Sequence, residues 1–238
     1  EYLPILKNYS DIICRWSFAP ELEGSEDFCK HLLSFGVGPS VAHSNAVYDD
    51  VKAVYDVGCL SATHLYSSMS SITRENGYRR LGVIESAYLL DDMTVEVIAD
   101  GKHLPKELLK LILKCKPKDK ICLVTDAMRA AGTDRYESFL GRKGEEVPCV
   151  IEDGVAKLPD KTSFAGSIAT ADRLVRTMVN EANLDIADAV AMITKTPAQA
   201  FNIKNKGELK KGFDADIVMF DKQINIKKLI VGGTEYGN

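Results

Sequence analysis

Five short runs rich in apolar and β-branched residues recur along the chain, and each ends in a polar or ionisable residue followed by a turn. Helical patterns separate most of these runs. Strands that alternate with helices predict an α/β fold with a parallel sheet, in which functional side chains gather at the carboxyl ends of the strands. The runs are IICRWSFAPE (12–21), VGPSVAHSNA (37–46), GCLSATHLYSSM (58–69), TVEVIADGKH (94–103) and KICLVTDAM (120–128).

Three of the four histidines stand at the ends of these runs, namely His43, His64 and His103. A single histidine is more often a satisfied core or surface residue than a metal ligand. Two histidines at matching ends of adjacent strands favour a divalent metal site, because imidazole is the commonest metal ligand in proteins. A catalytic zinc site usually has three protein ligands and a water. His43 and His64 therefore leave the third ligand to come from elsewhere.

A carboxylate ends the last run, where Asp126 follows apolar residues and a threonine in LVTDA. At the mouth of a sheet, such a carboxylate can act as general base toward a metal-activated water and return the proton to a leaving amine. Asp is also a favoured N-cap residue at the start of a helix. The residues alone leave both interpretations open.

Three weaker patterns accompany the histidines and Asp126. Asp100 and His103 share the tight turn ADGKH, which is equally typical of an Asp-Gly turn with an incidental histidine. Arg74 lies in the polar stretch TRENGYRR. Arginine favours bidentate phosphate contacts, although a loop arginine is more often simply solvated. FAGS (164–167) directly precedes a predicted helix, where backbone N–H groups can receive an anion or a polar substrate.

The composition argues against several kinds of partner. The net charge is −4 with interspersed signs, which gives no indication of nucleic acid or a membrane surface. No apolar stretch approaches the roughly 20 residues of a transmembrane helix. The six cysteines show no CxxC spacing, and we expect free thiols in a reducing cytoplasm. At 238 residues and 45% hydrophobic content, the chain can bury a large core, with or without a small appendage.

Periodicity and capping signals predict helices between and after the runs. Residues 129–165 are rich in glycine and predict a β-hairpin excursion or lid, with EDG (152–154) as its turn. The tail from Gly207 predicts two alternating strands in a small β-appendage. The predicted helices are a short patch at 1–11 and the segments 25–35, 48–57, 105–116, 168–183, 185–194 and 197–201.

Taken in order, these sequences resemble the N-acetylglucosamine-6-phosphate deacetylases of the amidohydrolase superfamily. The resemblance covers essentially the whole chain, and it is specific because several uncommon motifs occur together at about the family's spacing. The matching motifs are APE (19–21), AHSNA (42–46), THLYSSM (63–69), TREN-G (73–77), IADGKH (98–103), LVTDA (123–127), FAGS (164–167), TPAQAF (196–201) and G-x-L-x-x-G-x-D-A-D-I-V (207–218).

The resemblance implies a β/α barrel with a small β-sandwich, a homodimer, and release of acetate from an amino-sugar phosphate with a divalent metal, zinc or iron. It implies that His43 and His64 bind the metal and that Asp126 is the catalytic acid and base. Arg74 resembles the phosphate-binding arginine, which in the family reaches the neighbouring subunit's site. The implied substrate contacts are Ser67, Ser68, Asp100, Gly101, Lys102, His103, Phe164, Ala165 and Gly166.

One departure from the family concerns the sugar pocket. After the His-Leu-aromatic sequence the family usually has Asn-Ala at a substrate contact, whereas this chain has Ser67-Ser68. We therefore expect the shape or preference of the sugar pocket to differ. Another amidohydrolase, acting on a different amide, stays an alternative.

A second departure concerns the start of the chain. The family's metal-binding glutamate lies on a strand before the APE strand, and this chain begins too late, at Glu1, to contain it. We expect residues 1–204 to be the last five strands of an incomplete TIM-like (β/α)8 barrel, and 205–238 to be sandwich strands. From the strand count alone, an open doubly wound sheet stays possible. A catalytically incomplete sugar-phosphate-binding chain is the alternative outside enzymes.

Overall fold

In this computed structural model, which describes residues 2–237, helices and strands alternate through the first half of the chain. The elements there are α1 (Leu3–Tyr9), β1 (Arg15–Phe18), α2 (Ser25–Ser34), β2 (Gly38–Val41), α3 (Tyr48–Asp56), β3 (Ser61–Ala62), β4 (Thr73–Glu75), β5 (Tyr78–Arg80), α4 (Val83–Leu89), β6 (Thr94–Val97), α5 (Lys106–Cys115), a 3₁₀ turn (Lys118–Lys120) and β7 (Ile121–Leu123).

Each of the five apolar runs supplies one strand of a single sheet. The sheet has the order β1-β2-β3-β6-β7. Within it, β1, β2, β3 and β6 pair in parallel with their neighbours in this order. The predicted α/β fold with a parallel sheet is confirmed. The strand order follows the chain order, whereas a doubly wound sheet reverses its order at a switch point. The open doubly wound alternative is therefore disfavoured.

One face of this sheet is held together by polar side chains. The register places Ser17 of β1 beside Ser40 of β2, and the Oγ1 atom of Thr63 lies 3.0 Å and 2.8 Å from their hydroxyl oxygens. On the same face Arg15 of β1 forms an ion pair with the buried carboxylate of Glu96 on β6. Ser40, Thr63 and Glu96 are buried, and most buried polar groups in native structures are paired. These contacts link β1 to β2 and β6.

Residues 124–237 contain two small antiparallel sheets and three helices. The first sheet has the order β10 (Val155–Lys157), β9 (Val147–Glu152), β8 (Glu137–Leu140), and Asp153-Gly154 forms the predicted turn between β9 and β10. The tail has three strands, one more than the sequence predicted. The elements are β8 (Glu137–Leu140), β9 (Val147–Glu152), β10 (Val155–Lys157), α6 (Ala171–Asn180), α7 (Ile186–Ile193), α8 (Lys195–Ala200), β11 (Ile217–Phe220), β12 (Ile226–Val231) and β13 (Thr234–Tyr236).

The chain divides into two compact units. Among the described residues, the first unit holds 2–97, 115–122 and 195–204, and includes nearly all of the parallel sheet. The second holds 98–114, 123–194 and 205–237, and includes both antiparallel sheets β8–β10 and β11–β13. The division predicted after residue 204 stays a prediction.

Two local expectations were wrong, and one helix was not predicted. The polar stretch 73–80 is a β-hairpin, β4–β5, because Asn76 and Gly77 form a two-residue turn that pairs the flanking residues. Helix α4 follows it and was not predicted. Helix α6 begins at Ala171, so three residues separate it from FAGS (164–167), and the loop does not lead directly into the helix.

The six cysteines differ in burial. All six cysteines are free thiols, and Cys14 and Cys115 are exposed while the other four are buried. The burial of Cys59 and Cys122 fits their place in the apolar runs, whereas Cys14 was expected to be buried as well. No helix within residues 2–237 is long and apolar enough to span a membrane.

Gly82 occupies a position that has no room for a β-carbon. A Cβ built there lies 2.5 Å from the backbone carbon and oxygen of Ser70. We expect Gly82→Ala to displace this loop and to lower the free energy of unfolding by about 1–3 kcal/mol, the usual cost of overpacking. Urea denaturation measures the change. An unchanged midpoint and slope would contradict this close approach of the two backbone segments.

Candidate active site

Two histidines face each other just beyond the ends of β2 and β3. The Nε2 atoms of His43 and His64 are 2.8 Å apart, and their rings are tilted by 32°. The side chain of His64 is buried, whereas His43 is exposed. Parallel neighbouring strands end at the same edge of a sheet, which is why these two residues, 21 positions apart in sequence, come together.

The pair fits two positions of a divalent metal site. Imidazole nitrogens bind zinc at about 2.0–2.1 Å, so two of them on one tetrahedral ion lie roughly 3.3 Å apart. A ring movement of about half an ångström therefore converts the observed contact into that separation. Among residues 2–237, no group of three or more His, Cys, Asp or Glu side chains is placed to hold an ion. The described residues thus place two imidazoles together, whereas such a site usually has three protein ligands.

The backbone is strained at the residues to which the sequence assigned chemistry. His43, His64 and Asp126 have φ angles of 46°, 30° and 46°. Few residues other than glycine adopt positive φ, and such conformations cost of order 1–3 kcal/mol each and cluster at functional sites. Nine other non-glycine residues of 2–237 also have positive φ, so the strain accompanies the site and does not identify it by itself.

Glu21 anchors the loop that carries His43, a role that the sequence analysis did not assign. Its Oε2 accepts a 2.6 Å hydrogen bond from the Ser44 hydroxyl, and its Oε1 accepts one of 2.7 Å from the backbone N–H of Asn45. A carboxylate that accepts two hydrogen bonds holds a loop more firmly than a neutral acceptor does. The APE sequence was the available signal, since Glu21 is its last residue.

The loop that contains Ser67 and Ser68 lies against the loop that carries His43. The N–H of Ser44 donates to the carbonyl of Ser68 at 3.0 Å, and the N–H of Ser70 donates to the carbonyl of Ser44 at 2.9 Å. Ser68 is exposed, and its φ is 50°. The structure therefore brings the predicted sugar-contacting serines next to the His43 loop, while Arg74 lies on the exposed β4–β5 hairpin.

In the second unit, Asp100 organises the turn that carries His103. Its Oδ1 accepts hydrogen bonds of 2.9 Å from the N–H groups of Lys102 and His103, and its Oδ2 lies 2.8 Å from Nδ1 of His103. Gly101 completes the turn, and Lys102 is exposed. An ionised carboxylate only accepts hydrogen bonds, so Nδ1 carries the proton. In the neutral ring, Nε2 is then an acceptor.

The carboxyl group of Asp100 titrates at lower pH than usual. Burial alone raises its pKa, but the hydrogen bonds from the His103 ring and from the N–H groups of His103 and Lys102 together outweigh burial and lower the pKa. A lowered pKa in the folded state stabilises the protein above the unfolded pKa of about 3.9. This stability is lost as the pH falls through the folded pKa.

We therefore expect Asp100→Asn to be less stable than the wild type by about 1.5–3 kcal/mol above pH 5, the value of a hydrogen bond to a charged group. The difference should shrink as the pH falls below about 4, because protonation removes the same charge from the wild type. Urea unfolding between pH 2.5 and 6 measures it. A difference that is constant with pH would show that the Asp100 charge makes no contribution.

Asp126 and the FAGS loop lie together in the second unit. Ala127 and Ser167 form a parallel bridge, in which the N–H of Ser167 donates to the carbonyl of Asp126 at 3.2 Å. The Asp126 side chain is exposed, and residues 124–136 contain no helix, so the helix N-cap interpretation is wrong. A Cβ at Gly166, where φ is 93°, would lie 3.4 Å from Cβ of Met128.

The other two residues of this loop differ in exposure. Ala165 is buried, and Phe164 is 43% exposed. The rings of Phe164 and His103 meet edge to face with their centroids 4.9 Å apart. The structure therefore joins two predicted substrate-contacting segments, the Asp100–His103 turn and the FAGS loop, at one aromatic contact.

Comparison with known proteins shows the family to which the chain belongs. The model of the amidohydrolase family matches residues 31–236. An N-acetylglucosamine-6-phosphate deacetylase of Lysinibacillus sphaericus is 34% identical over 91% of this chain and 54% of its own length. An N-acetylgalactosamine-6-phosphate deacetylase of Shewanella sp. (strain ANA-3) is 30% identical over 91% of this chain and 52% of its own length.

A solved structure of such a deacetylase has a closely similar fold. The crystal structure of N-acetylglucosamine-6-phosphate deacetylase from Pasteurella multocida superimposes with a TM-score of 0.88 at 27% identity, and covers 99% of this chain and 59% of that one. The chain belongs to the amidohydrolase family. Its resemblance to the N-acetylhexosamine-6-phosphate deacetylases within that family is confirmed. The chain spans about half the length of the curated relatives it matches.

Proposed function

We propose that the protein hydrolyses the acetamide of N-acetylglucosamine 6-phosphate, giving glucosamine 6-phosphate and acetate in amino-sugar breakdown. In this reaction a water oxygen bonds to the amide carbonyl carbon and the bond from that carbon to nitrogen breaks. The observation that carries the proposal is the strained pair His43 and His64, whose facing Nε2 atoms are 2.8 Å apart in a chain of the amidohydrolase family.

The residues have distinct proposed roles. His43 and His64 would hold a divalent ion, zinc or iron, which when bound would polarise the amide carbonyl and activate water. Asp126 takes a proton from the attacking water and delivers it to the departing amine. His103, held by Asp100, binds the substrate through Nε2. The exposed Phe164 and the backbone of Ala165 and Gly166 line the sugar, together with Ser67, Ser68, Gly101 and Lys102.

The surrounding architecture is part of the same proposal. The parallel sheet is proposed to be five strands of a TIM-like barrel within residues 1–204, and the strands of 205–238 belong to a small β-sandwich. The active form is a cytoplasmic homodimer in which Arg74 reaches the partner subunit's substrate phosphate. The exposure of Arg74 on the β4–β5 hairpin supports that role. Neither nucleic acid nor a membrane takes part.

Acetate release by the full-length gene product tests the reaction. The substrates are N-acetylglucosamine 6-phosphate, its galactosamine isomer and the unphosphorylated sugar. We expect turnover of at least one phosphorylated hexosamine and much weaker turnover of the unphosphorylated sugar. Equal turnover with and without phosphate would contradict the phosphate contact of Arg74, and no acetate from any of them would refute the reaction.

Ser67-Ser68 is the observation that favours a second amidohydrolase function on a different amide. The family's usual Asn-Ala at this position contacts the substrate, and Ser68 here is exposed beside the His43 loop. Replacing Ser67-Ser68 by Asn-Ala discriminates the two functions. Better turnover of N-acetylglucosamine 6-phosphate by that variant, from a low wild-type level, would favour the second function. A catalytically incomplete sugar-phosphate-binding chain predicts binding without acetate release.

A further inference from the structure

We propose that Arg79 forms, together with Arg74, a two-arginine site for the phosphate group of the substrate. The inference rests on the proposed function, since it assigns a second contact to the phosphate of that same substrate. It concerns the β4–β5 hairpin, where Asn76 and Gly77, with φ angles of 49° and 87°, make a two-residue turn. This turn sets the register in which Arg74 lies directly opposite Arg79.

The two faces of the hairpin differ in charge. On one face Thr73 pairs with Arg80 and Glu75 with Tyr78. The guanidinium Nε of Arg80 lies 3.2 Å from the carboxylate of Glu75, so the charges on this face compensate each other. The other face carries only the two arginines that lie opposite each other.

Opposed like charges need an explanation, because directly opposite residues of a two-stranded ribbon have Cβ atoms about 4.5–5.5 Å apart and like charges there are destabilising. Arg74 and Arg79 are both exposed, and no carboxylate of residues 2–237 forms an ion pair with either. An anion bound between the two guanidinium groups removes the repulsion.

Phosphate is the anion that this geometry suits. A guanidinium group presents its N–H donors as a planar fork that binds phosphate oxygens two at a time. Two opposed forks can therefore satisfy most of the oxygens of one phosphate group. Arg74 alone would make a single bidentate contact, and Arg79 completes the recognition.

Steady-state kinetics of the full-length gene product test the role of Arg79, with Arg80→Met as the matched control from the compensated face. We expect Arg79→Met to lower kcat/KM for N-acetylglucosamine 6-phosphate by roughly ten- to a hundredfold. The loss should lie in KM, with no change for the unphosphorylated sugar. Arg79→Lys keeps the charge without the fork and should lose less. Arg80→Met should resemble the wild type with both substrates.

Thermal unfolding with inorganic phosphate gives a readout without turnover. Phosphate should raise the Tm of the wild type and of Arg80→Met, because a ligand of the folded state stabilises it, and should raise that of Arg79→Met much less. Without phosphate, Arg79→Met should melt no lower than the wild type, since one of two repelling charges is gone.

The outcomes separate this inference from the reaction itself. If the wild type releases acetate and Arg79→Met has an unchanged KM, the two-arginine site is refuted and the proposed function stands. If the wild type releases no acetate from either phosphorylated hexosamine, the proposed function fails. In that case the change in Tm on adding inorganic phosphate still tests the two-arginine site. Equal changes in the wild type and Arg79→Met would refute that site.

Discussion

Replacing Asp126 by Asn is expected to lower kcat by about 10²–10⁴-fold, the usual contribution of a general acid–base group. The variant keeps the size of the side chain and removes its basicity. The fold should tolerate it, because Asn adopts positive φ as readily as Asp, and φ is 46° at this position. The side chain is exposed, so little packing is lost. The measurement is acetate release at saturating substrate.

Two controls make the Asp126 prediction specific. The metal content of Asp126→Asn should equal that of the wild type, since His43 and His64 are the proposed ligands. The Tm should hardly change, because no helix begins at residue 126 and no cap is lost. If Asp126→Asn retains more than about a tenth of the wild-type kcat, far above the range for such groups, Asp126 is not the proton carrier.

The strands and the residues at their ends could be predicted from sequence because buried parallel strands have nearly continuous apolar runs. β6 is an example, since all four of its residues are buried. The proximity of His43 and His64 followed from the alternation of strands and helices alone. Their backbone strain did not follow, because nothing in their neighbours signals a positive φ.

The β4–β5 hairpin and Glu21 escaped prediction for different physical reasons. All residues of the hairpin strands are exposed, so no apolar alternation marked them, and the Asn76-Gly77 turn was the available signal. Glu21 acts through contacts to residues 23 and 24 positions away. Such a contact depends on how two loops meet after the sheet has formed, and sequence spacing does not encode it.

Replacing His64 by Ala is expected to abolish metal binding and activity together. A metal ion contributes several kcal/mol to amide activation, so its loss should lower kcat/KM by roughly 10³-fold or more. His31→Ala is the matched control, because His31 lies on α2 and pairs with the hydroxyl of Tyr2 at 2.7 Å. The control should keep the metal content and activity of the wild type. Elemental analysis of freshly purified protein measures the metal.

Stability distinguishes a lost ligand from a damaged fold. The side chain of His64 is 6% exposed, so its removal also costs packing, and a lower Tm alone would not identify a ligand. An ion that binds only the folded state stabilises it in proportion to the logarithm of its concentration. Chelation should therefore lower the Tm of the wild type and of His31→Ala, and leave that of His64→Ala unchanged. A His64→Ala protein that keeps its metal and still responds to chelation would show that the pair of histidines is structural.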